Sequence, residues 1–297
     1  MKWLIISDTD TTSLRDFITK KNKNASFKLC KEDDIGELLQ VSKTIDEISF
    51  IIIYSSIQST DFLPFYTNLT GYAAARELPV WTNISELGTS NIFPSEHLYC
   101  LKDMNAIEKD ISKNFTKLQK SFIQTSARRT LFIKGIPFTP DCFGQYIDKG
   151  KTEICQLFLD GGMDTNVRNY DGTPMLNIAV RSDNYELTEW LIENGADINT
   201  ESEDRGYTPV MDAVWRGNEK ITRFMISKGA DLNTICKEGQ SNLVLAVGAN
   251  RPGIVKLLVE NGADPDIKDM MGMSAYQYAK LFRKEELVKL LEPFHKE

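Results

Sequence analysis

Two short polar loops carry the side chains best suited to chemistry in the first half of the chain. Asp8 and Asp10 follow one apolar run, and Ser55 and Asp61 follow another. Carboxylates and hydroxyls placed together could chelate a hard cation, because such cations prefer oxygen ligands. An Asp among threonines is also suited to begin a helix, because its side chain accepts hydrogen bonds from the first free backbone amides. Of these two interpretations, we favour helix capping for Asp8 and Asp10.

Several kinds of catalytic and cofactor site are not expected. Neither loop contains a glycine-rich phosphate cradle or a P-loop lysine. The chain has only two histidines, His97 and His295, and its five cysteines lack any C-x-x-C spacing. A zinc site, a redox pair or a histidine-based triad is therefore not predicted. We expect neither a metal nor a cofactor.

The loops belong to an alternating pattern of short apolar runs and helical stretches. Predicted strands cover residues 2–7, 26–30, 48–55, 79–82 and 97–101. Predicted helices cover residues 13–20, 35–45, 65–76 and 105–125. This alternation favours an α/β domain with a parallel sheet between helices, and five strands favour a flavodoxin-like layout. Ligands of such sheets bind at the carboxyl ends of the strands, where both polar loops lie.

A local resemblance lies in the third of these helices. The segment Asn68-Leu-Thr-Gly-Tyr-Ala-Ala-Ala-Arg-Glu-Leu-Pro-Val80 resembles the helix and following strand of nucleoside deoxyribosyltransferase-like and related Toll/interleukin-receptor-type domains. The resemblance implies, as one candidate function, an N-glycoside hydrolase or transferase that processes nucleosides or nucleotides. These families carry a catalytic Glu two residues before the Gly-Tyr pair, and that position is Leu69 here. We therefore expect a structural or ligand-sensing relative without this activity.

A period of about 33 residues runs through the second half of the chain. Four turns rich in Asp and Asn align on Gly162, Gly195, Gly229 and Gly262, in steps of 33, 34 and 33 residues. Each turn follows an apolar stretch at helical spacing, and a glycine there can adopt the left-handed conformation that ends a helix. Each unit is predicted to be helix, loop, helix and turn.

A second signature carries a resemblance to the ankyrin family. Gly206-Tyr-Thr-Pro-Val-Met-Asp-Ala-Val214 is similar to the family's G-x-T-P-L-H-x-A-A, and Thr173-Pro174 is displaced from it by one position. Over residues 135–297 the resemblance implies an all-α ankyrin-repeat solenoid of about five repeats. We expect an α/β domain at 1–125, a linker at 126–137 that packs on the first repeat, and repeats at 138–297.

The ankyrin resemblance also implies where a partner would bind. Such solenoids bind on a concave face built from hairpin tips and inner helices. The family's variable contact positions fall on Tyr170, Asp171, Arg181, Asp204, Arg205, Tyr207, Trp215, Arg216, Lys237, Glu238, Gln240, Met270, Met271 and Met273. Tyr207, Trp215 and Arg216 form the preferred anchor, because aromatic and Arg side chains dominate interface hot spots. The alternative is that Trp215 packs on the next repeat and Arg216 is a solvated charge.

Composition narrows the class of partner. The formal net charge is −7 and the pI is about 5.1, which disfavours general binding to nucleic acid or anionic lipid. No apolar stretch is long enough to cross a bilayer, and the first apolar run is too short for a signal peptide. We predict a cytoplasmic protein-binding adaptor or regulator rather than an enzyme. Its N-terminal domain would be a second binding unit or a sensor of a small nucleotide-like ligand.

Overall fold

The computed structural model describes residues 1–30, 48–55, 63–75, 78–85, 87 and 98–296. By its internal contacts the chain divides into two units, Met1–Phe122 and Ile123–Glu297. The helix predicted at 35–45 and the candidate ligand residue Asp61 lie outside the described residues. Among the described residues, no helix combines the length and apolar character needed to span a bilayer.

The first unit is built on a parallel sheet of five strands. These are β1 (Lys2–Ser7), β2 (Ser26–Cys30), β3 (Phe50–Tyr54), β4 (Val80–Thr82) and β5 (Leu98–Cys100). Their order across the sheet is β2-β1-β3-β4-β5, and every neighbouring pair is parallel. Ile51, Ile52 and Ile53 are fully buried, as expected for a parallel strand covered on both faces. The predicted parallel sheet is confirmed.

Separate hydrophobic clusters cover the two faces of this sheet. One contains Ile51 and Ile53 with residues of α2 (Leu63–Ala75). The other contains Trp3 and Phe50, whose rings stack at 4.4 Å. Residues of α1 (Thr12–Lys21) and of the first part of α3 (Met104–Ile133) complete that second cluster. The helix α3 is longer than predicted, so the segment predicted as a linker begins as helix.

The second unit contains five consecutive helix pairs. They are α4 (Pro140–Asp148) with α5 (Thr152–Asp160), α6 (Met175–Arg181) with α7 (Tyr185–Glu193), α8 (Pro209–Arg216) with α9 (Glu219–Ser227), α10 (Asn242–Gly248) with α11 (Pro252–Glu260), and α12 (Ala275–Leu281) with α13 (Glu285–Leu291). The first helix of each pair is called inner and the second outer. Inner helices contact one another along the array, and one hydrophobic core joins all five pairs.

Hydroxyl side chains set the start of most inner helices. Thr208, Ser241 and Ser274 each accept a hydrogen bond from the backbone amide three residues later. In α6 the equivalent position is Pro174, which has no side-chain acceptor, so this helix begins without such a cap. Because Thr173-Pro174 is displaced by one position, α6 lacks this cap, but α6 and α7 still form a helix pair.

An asparagine ladder joins the successive turns of the array. In each rung an Asn side chain accepts a hydrogen bond from the backbone amide of an Asp in the next turn. The rungs are Asp197 to Asn166 at 2.7 Å, Asp231 to Asn199 at 2.9 Å and Asp264 to Asn233 at 2.8 Å. The turns are therefore held together by polar contacts as well as by the core.

The ladder ends on the C-terminal tail. Asp266 occupies the position that Asn233 holds one repeat earlier, and its carboxylate accepts from the backbone amide of Lys296 at 2.8 Å. The Nδ1 atom of His295 lies 2.5 Å from the other carboxylate oxygen, and its ring stacks on Tyr276 at 4.0 Å. The tail thus takes the place that a following turn takes elsewhere.

The last part of α3 packs on the first repeat. Arg128 Nε donates to the carbonyl oxygen of Gly161 at 2.7 Å, and its guanidinium lies over the Phe138 ring at 4.6 Å. Leu131 belongs to the hydrophobic core of the helix pairs. These residues therefore close the array at its beginning.

Candidate partner-binding surface

The C-terminal ends of the inner helices present one equivalent position in each of four pairs. These positions are Arg181, Trp215, Gly248 and Leu281, each seven residues after the N-cap position of its helix. Trp215 is 49% exposed and Leu281 is 61% exposed. We call these four residues and those directly following them the inner-helix surface.

Trp215 lies on this surface at the third helix pair. Because its ring is half exposed and half covered, both the anchor role and the alternative, that Trp215 packs on the next repeat, stay predictions. Arg216 follows it, and Arg216 Nη2 lies 3.4 Å from the carboxylate of Asp183. That ion pair is weak, since both side chains are about half exposed to solvent. A half-exposed Trp can gain further burial from a partner, but its use as an anchor stays a prediction.

Tyr207 differs from Trp215 in its exposure to solvent. It is only 3% exposed and belongs to the core of the helix pairs. Its amide donates to Ser202 Oγ at 3.2 Å, and the Arg205 guanidinium covers its ring at 4.8 Å. Burial raises the pKa of its phenol. Because the ring is already enclosed, we leave Tyr207 out of the proposed partner contacts.

Arg181 and Asp204 are brought together, but they bind each other. Arg181 Nη1 and Nη2 donate to the two Asp204 carboxylate oxygens at 3.0 and 3.1 Å. Arg181 Nε donates to Asp212 Oδ2 at 2.9 Å, and the same oxygen accepts from Asn177 Nδ2 at 2.8 Å. The Asp212 side chain is 2% exposed. This polar cluster joins the second helix pair to the third.

The pKa values of the two carboxylates in this cluster are shifted in opposite directions. Burial raises the pKa of Asp212, and the charge of Arg181 only partly opposes this. Partial desolvation would also raise the pKa of Asp204, but hydrogen bonds from Arg181 and Ser202 outweigh it and lower that pKa. Desolvation alone would lower the pKa of Arg181, but Asp204 and Asp212 together raise it. The guanidinium therefore stays charged and satisfies both acids.

The hairpin tips present a second exposed group. Tyr170, Asp171, Lys237, Glu238, Met270 and Met271 are exposed, whereas Arg205, Gln240 and Met273 are half-buried. Lys237 Nζ donates to the carbonyl oxygen of Glu203 in the preceding tip. The tips of the second and fifth pairs therefore each expose a large aromatic or apolar side chain, whereas the tips between them expose charged side chains.

Comparison with known proteins identifies the family to which these helix pairs belong. A family model described as "Ankyrin repeats (3 copies)" matches residues 145–202 and 199–269. An ankyrin repeat-containing protein of Treponema pallidum (strain Nichols) is 31% identical over 228 residues, which are 77% of this chain and 76% of that protein. The chain belongs to the ankyrin-repeat proteins.

Two mammalian ankyrin-repeat proteins match a shorter part of it. The human B-cell lymphoma 3 protein is 38% identical over 109 residues, 37% of this chain and 24% of that protein. Its homolog from Mus musculus is 30% identical over 131 residues, 44% of this chain and 28% of that protein. This chain therefore matches only about a quarter of each of these two relatives.

Three features of this ankyrin-repeat protein's surface were missed by sequence reasoning. Asp212 is the buried partner of Arg181, and its signal was an acid inside the apolar run Val210-Met-Asp-Ala-Val214. Leu281, the last residue of α12, and Phe282 after it are exposed, and neither was singled out from the sequence. Arg251 could have been found by counting cations at the loops after inner helices.

The polar loops of the first unit bring together fewer of the predicted ligand residues. Asp10 Oδ1 accepts from the amide and the hydroxyl of Thr12 at 2.9 and 2.6 Å, which lowers the pKa of Asp10. This supports the capping interpretation for Asp10, while Asp8 is exposed nearby. Ser55 is buried, and its backbone exchanges two hydrogen bonds with the Asn83 side chain. Within the described part of the chain, no group of three or more His, Cys, Asp or Glu is placed to hold a metal.

Proposed function

We propose that this ankyrin-repeat protein is an adaptor or regulator that binds a protein partner on its concave face. The observation that carries the proposal is Trp215, a half-exposed aromatic ring at the middle helix pair. Large aromatic side chains that are exposed before binding and buried afterwards supply much of the energy of protein interfaces. Exposed Tyr170 and Met270 at the hairpin tips extend the contact surface on either side of it.

The comparisons support a role in protein binding. Ankyrin repeats are solenoids that use their surfaces to hold other macromolecules. The alignment of 228 residues with the Treponema pallidum protein is longer than the region 138–297, so it extends into residues before the repeats. We infer that the sheet-containing half accompanies the repeats as a second binding or ligand-sensing unit.

Finer features of the architecture belong to the same proposal. We count the five helix pairs as five ankyrin repeats, the first and last of which act as caps. The sheet order β2-β1-β3-β4-β5 supports a flavodoxin-like domain at 1–125, joined by 126–137 to repeats at 138–297. We also propose a cytoplasmic location, and no cofactor.

No described feature favours the alternative function in N-glycoside chemistry. Leu69 is buried in the core cluster with Ile51 and Ala73, and offers no carboxylate to a sugar. The direct test is thermal unfolding of the full chain with nucleosides, nucleotides and NAD. A ligand at 100 times its Kd would add about 2.7 kcal/mol. A clear shift, followed by turnover, would establish an enzyme in place of the adaptor alone.

The test of the adaptor proposal is affinity capture with the full chain as bait. Wild-type protein should retain a defined partner, and Trp215→Ala should lose most of it while remaining folded by circular dichroism. Phe132→Ala is the matched control, because Phe132 is an exposed aromatic residue near the end of α3 and does not belong to an inner helix. Equal retention by Trp215→Ala and wild type would contradict the proposal.

A further inference from the structure

The inner-helix surface changes character along the array. In its first half the polar groups already satisfy one another. Ser182 Oγ donates to Asp148 at 2.5 Å, and Arg181 holds both Asp204 and Asp212. A partner gains little by contacting groups that are already paired, because it would have to break those pairs first.

The second half of this surface is apolar and open. Trp215 and Leu281 are exposed at equivalent positions, and Phe282 beside Leu281 is half exposed. Gly248 occupies the equivalent position between them, and a Cβ atom built on it would meet nothing within 4 Å. Since packed helices lie about 8–10 Å apart, the missing side chain leaves a recess about one helix wide. We call Trp215, Gly248 and Leu281 the Gly248 recess.

Two exposed arginines border the Gly248 recess without a carboxylate partner among the described residues. The guanidinium of Arg251 lies against Gly217, since a Cβ atom built there would be 2.7 Å from its Nε and Cζ. The guanidinium of Arg251 therefore lies beside the backbone of Gly217, which follows Trp215 by two residues. Arg283 follows Phe282 and is also exposed. Neither guanidinium lies within ion-pair distance of an acid in the described part of the chain.

Two acids close to Trp215 are already engaged. Asp183 accepts from Asn218 at 3.0 Å and pairs weakly with Arg216. Glu219 pairs with Arg223 at 3.2 Å on the outer helix α9. Arg251 and Arg283 therefore give the recess exposed positive charge, although the chain as a whole carries a net charge of −7. The acids that follow Arg283 in the chain, Glu285 and Glu286, lie in the first turn of the outer helix α13.

We propose that the Gly248 recess docks an acidic segment of a protein partner. An apolar side chain would lie over Gly248 between Trp215 and Leu281, and carboxylates on either side would meet Arg251 and Arg283. This inference rests on the proposed function and names the chemistry of its partner. A nucleic acid fits less well, because a long polyanion would be repelled by the acidic remainder of the chain and has no aliphatic side chain for the recess.

The probe is a displayed library of random 16-residue peptides, panned on the full chain. The selected sequences should be rich in Asp and Glu around one or two Leu, Ile, Phe or Trp residues. Binding of a selected peptide, measured by fluorescence anisotropy, should weaken as salt rises, because its ion pairs are exposed to solvent.

Gly248→Leu tests the recess itself. Gly248 lies in α10 with an ordinary helical backbone and open space around it, so the variant should fold with an unchanged or higher Tm. It should nevertheless bind the selected peptide at least about tenfold more weakly, because the new side chain fills the recess. Gly253→Leu is the matched control. It adds the same side chain to the outer helix α11, where the nearest atom is the flexible Glu219 carboxylate at 3.3 Å.

The double variant Arg251→Gln with Arg283→Gln tests the charges. It should lower affinity about tenfold or more and flatten the salt dependence. The control variant, Arg223→Gln with Lys256→Gln, removes two cations from outer helices and should leave affinity unchanged. Lys256 and Arg223 each pair only with a Glu one turn away on their own helix.

Three outcomes would overturn this inference. The first is that panning enriches no peptide, or only peptides without acidic residues. The second is that Gly248→Leu binds the selected peptide with full affinity. The third is that homopolymeric RNA binds more tightly than any selected peptide. The proposed function is tested separately, by affinity capture. If affinity capture still depends on Trp215 while Gly248→Leu binds normally, the chain is an adaptor whose partner contacts Trp215 without entering the space over Gly248.

Discussion

Arg181 Nε donates a hydrogen bond of 2.9 Å to Oδ2 of Asp212, across the boundary between the second and third helix pairs. The acid is almost fully buried, so its charge depends on this one guanidinium. The equivalent positions of the neighbouring inner helices hold Ile178 and Leu245. An ion pair therefore replaces the usual apolar contact at a single boundary of the array.

Removing Arg181 alone should destabilise the repeats strongly. Arg181→Met leaves Asp212 buried with only Asn177 as a side-chain partner, and we expect the free energy of unfolding to fall by about 3 kcal/mol. Urea unfolding followed by circular dichroism measures it. Arg181→Met with Asp212→Leu should recover much of the loss, because Leu is accepted at the equivalent position of α10. If the double variant is as unstable as the single one, the buried charge is not the cause.

The pH dependence of stability should report Asp204. Its pKa is lowered in the folded chain, so folding favours the ionised form. Its contribution is therefore present at neutral pH and lost as the pH falls below about 4 towards the lowered pKa. Asp204→Asn should reduce stability at pH 7 by about 1 kcal/mol or less, because this pair is partly exposed to solvent. The gap between the two unfolding curves should narrow in acid, and a gap of constant size would refute the assignment.

Truncation of Tyr207 should destabilise the protein more than truncation of Trp215. Tyr207→Ala opens a cavity in the core and should cost about 3 kcal/mol of stability. Trp215→Ala removes a half-exposed ring and should cost about 1 kcal/mol or less. Thermal and urea unfolding of the two variants distinguish them. A stable Tyr207→Ala protein would mean that its ring is not needed between the repeats.

Two equivalent glycines provide a matched pair at the hairpin tips. Gly239 and Gly272 have φ values of 76° and 74°, so a side chain at either is strained by about 1 kcal/mol. A Cβ atom at Gly239 would also lie 2.7 Å from the Met270 amide nitrogen, whereas one at Gly272 meets nothing within 4 Å. Gly239→Ala should therefore be the more destabilising by about 1–2 kcal/mol in urea unfolding. Equal losses would show that the tips separate easily.

The C-terminal tail offers a local measurement. Asp266→Ala should release the amide of Lys296, so this amide should exchange with deuterium at the rate of an unprotected residue. The amides of Asp231 and Asp264 are the internal controls, because their asparagine partners are unchanged. Continued protection of Lys296 in the variant would mean that stacking of His295 on Tyr276 suffices to hold the tail.

The sequence predicted the regular features because they depend on period and composition. Glycine spacing located the turns, and the apolar run 48–55 identified a strand buried on both faces. Whether a particular side chain is free could not be predicted in the same way. Tyr207 and Trp215 are both aromatic residues at contact positions, yet only the three-dimensional neighbours decide that Arg205 covers one ring and nothing covers half of the other. Arg181 was predicted as a contact because it falls on a variable contact position of the ankyrin family. The sequence did not show that its buried partner is Asp212, which belongs to the next repeat.

The asparagine ladder has a consequence for how such a chain can change in length. Each rung uses an Asn from one turn and a backbone amide from the next, so an inserted copy of about 33 residues would bring both halves of a new rung with it. Duplication or loss of an interior unit would then leave every remaining rung complete. Growth beyond Asp266 differs, since a new unit there would first have to displace Lys296 and His295. The array is open to lengthening in its interior and closed at this end.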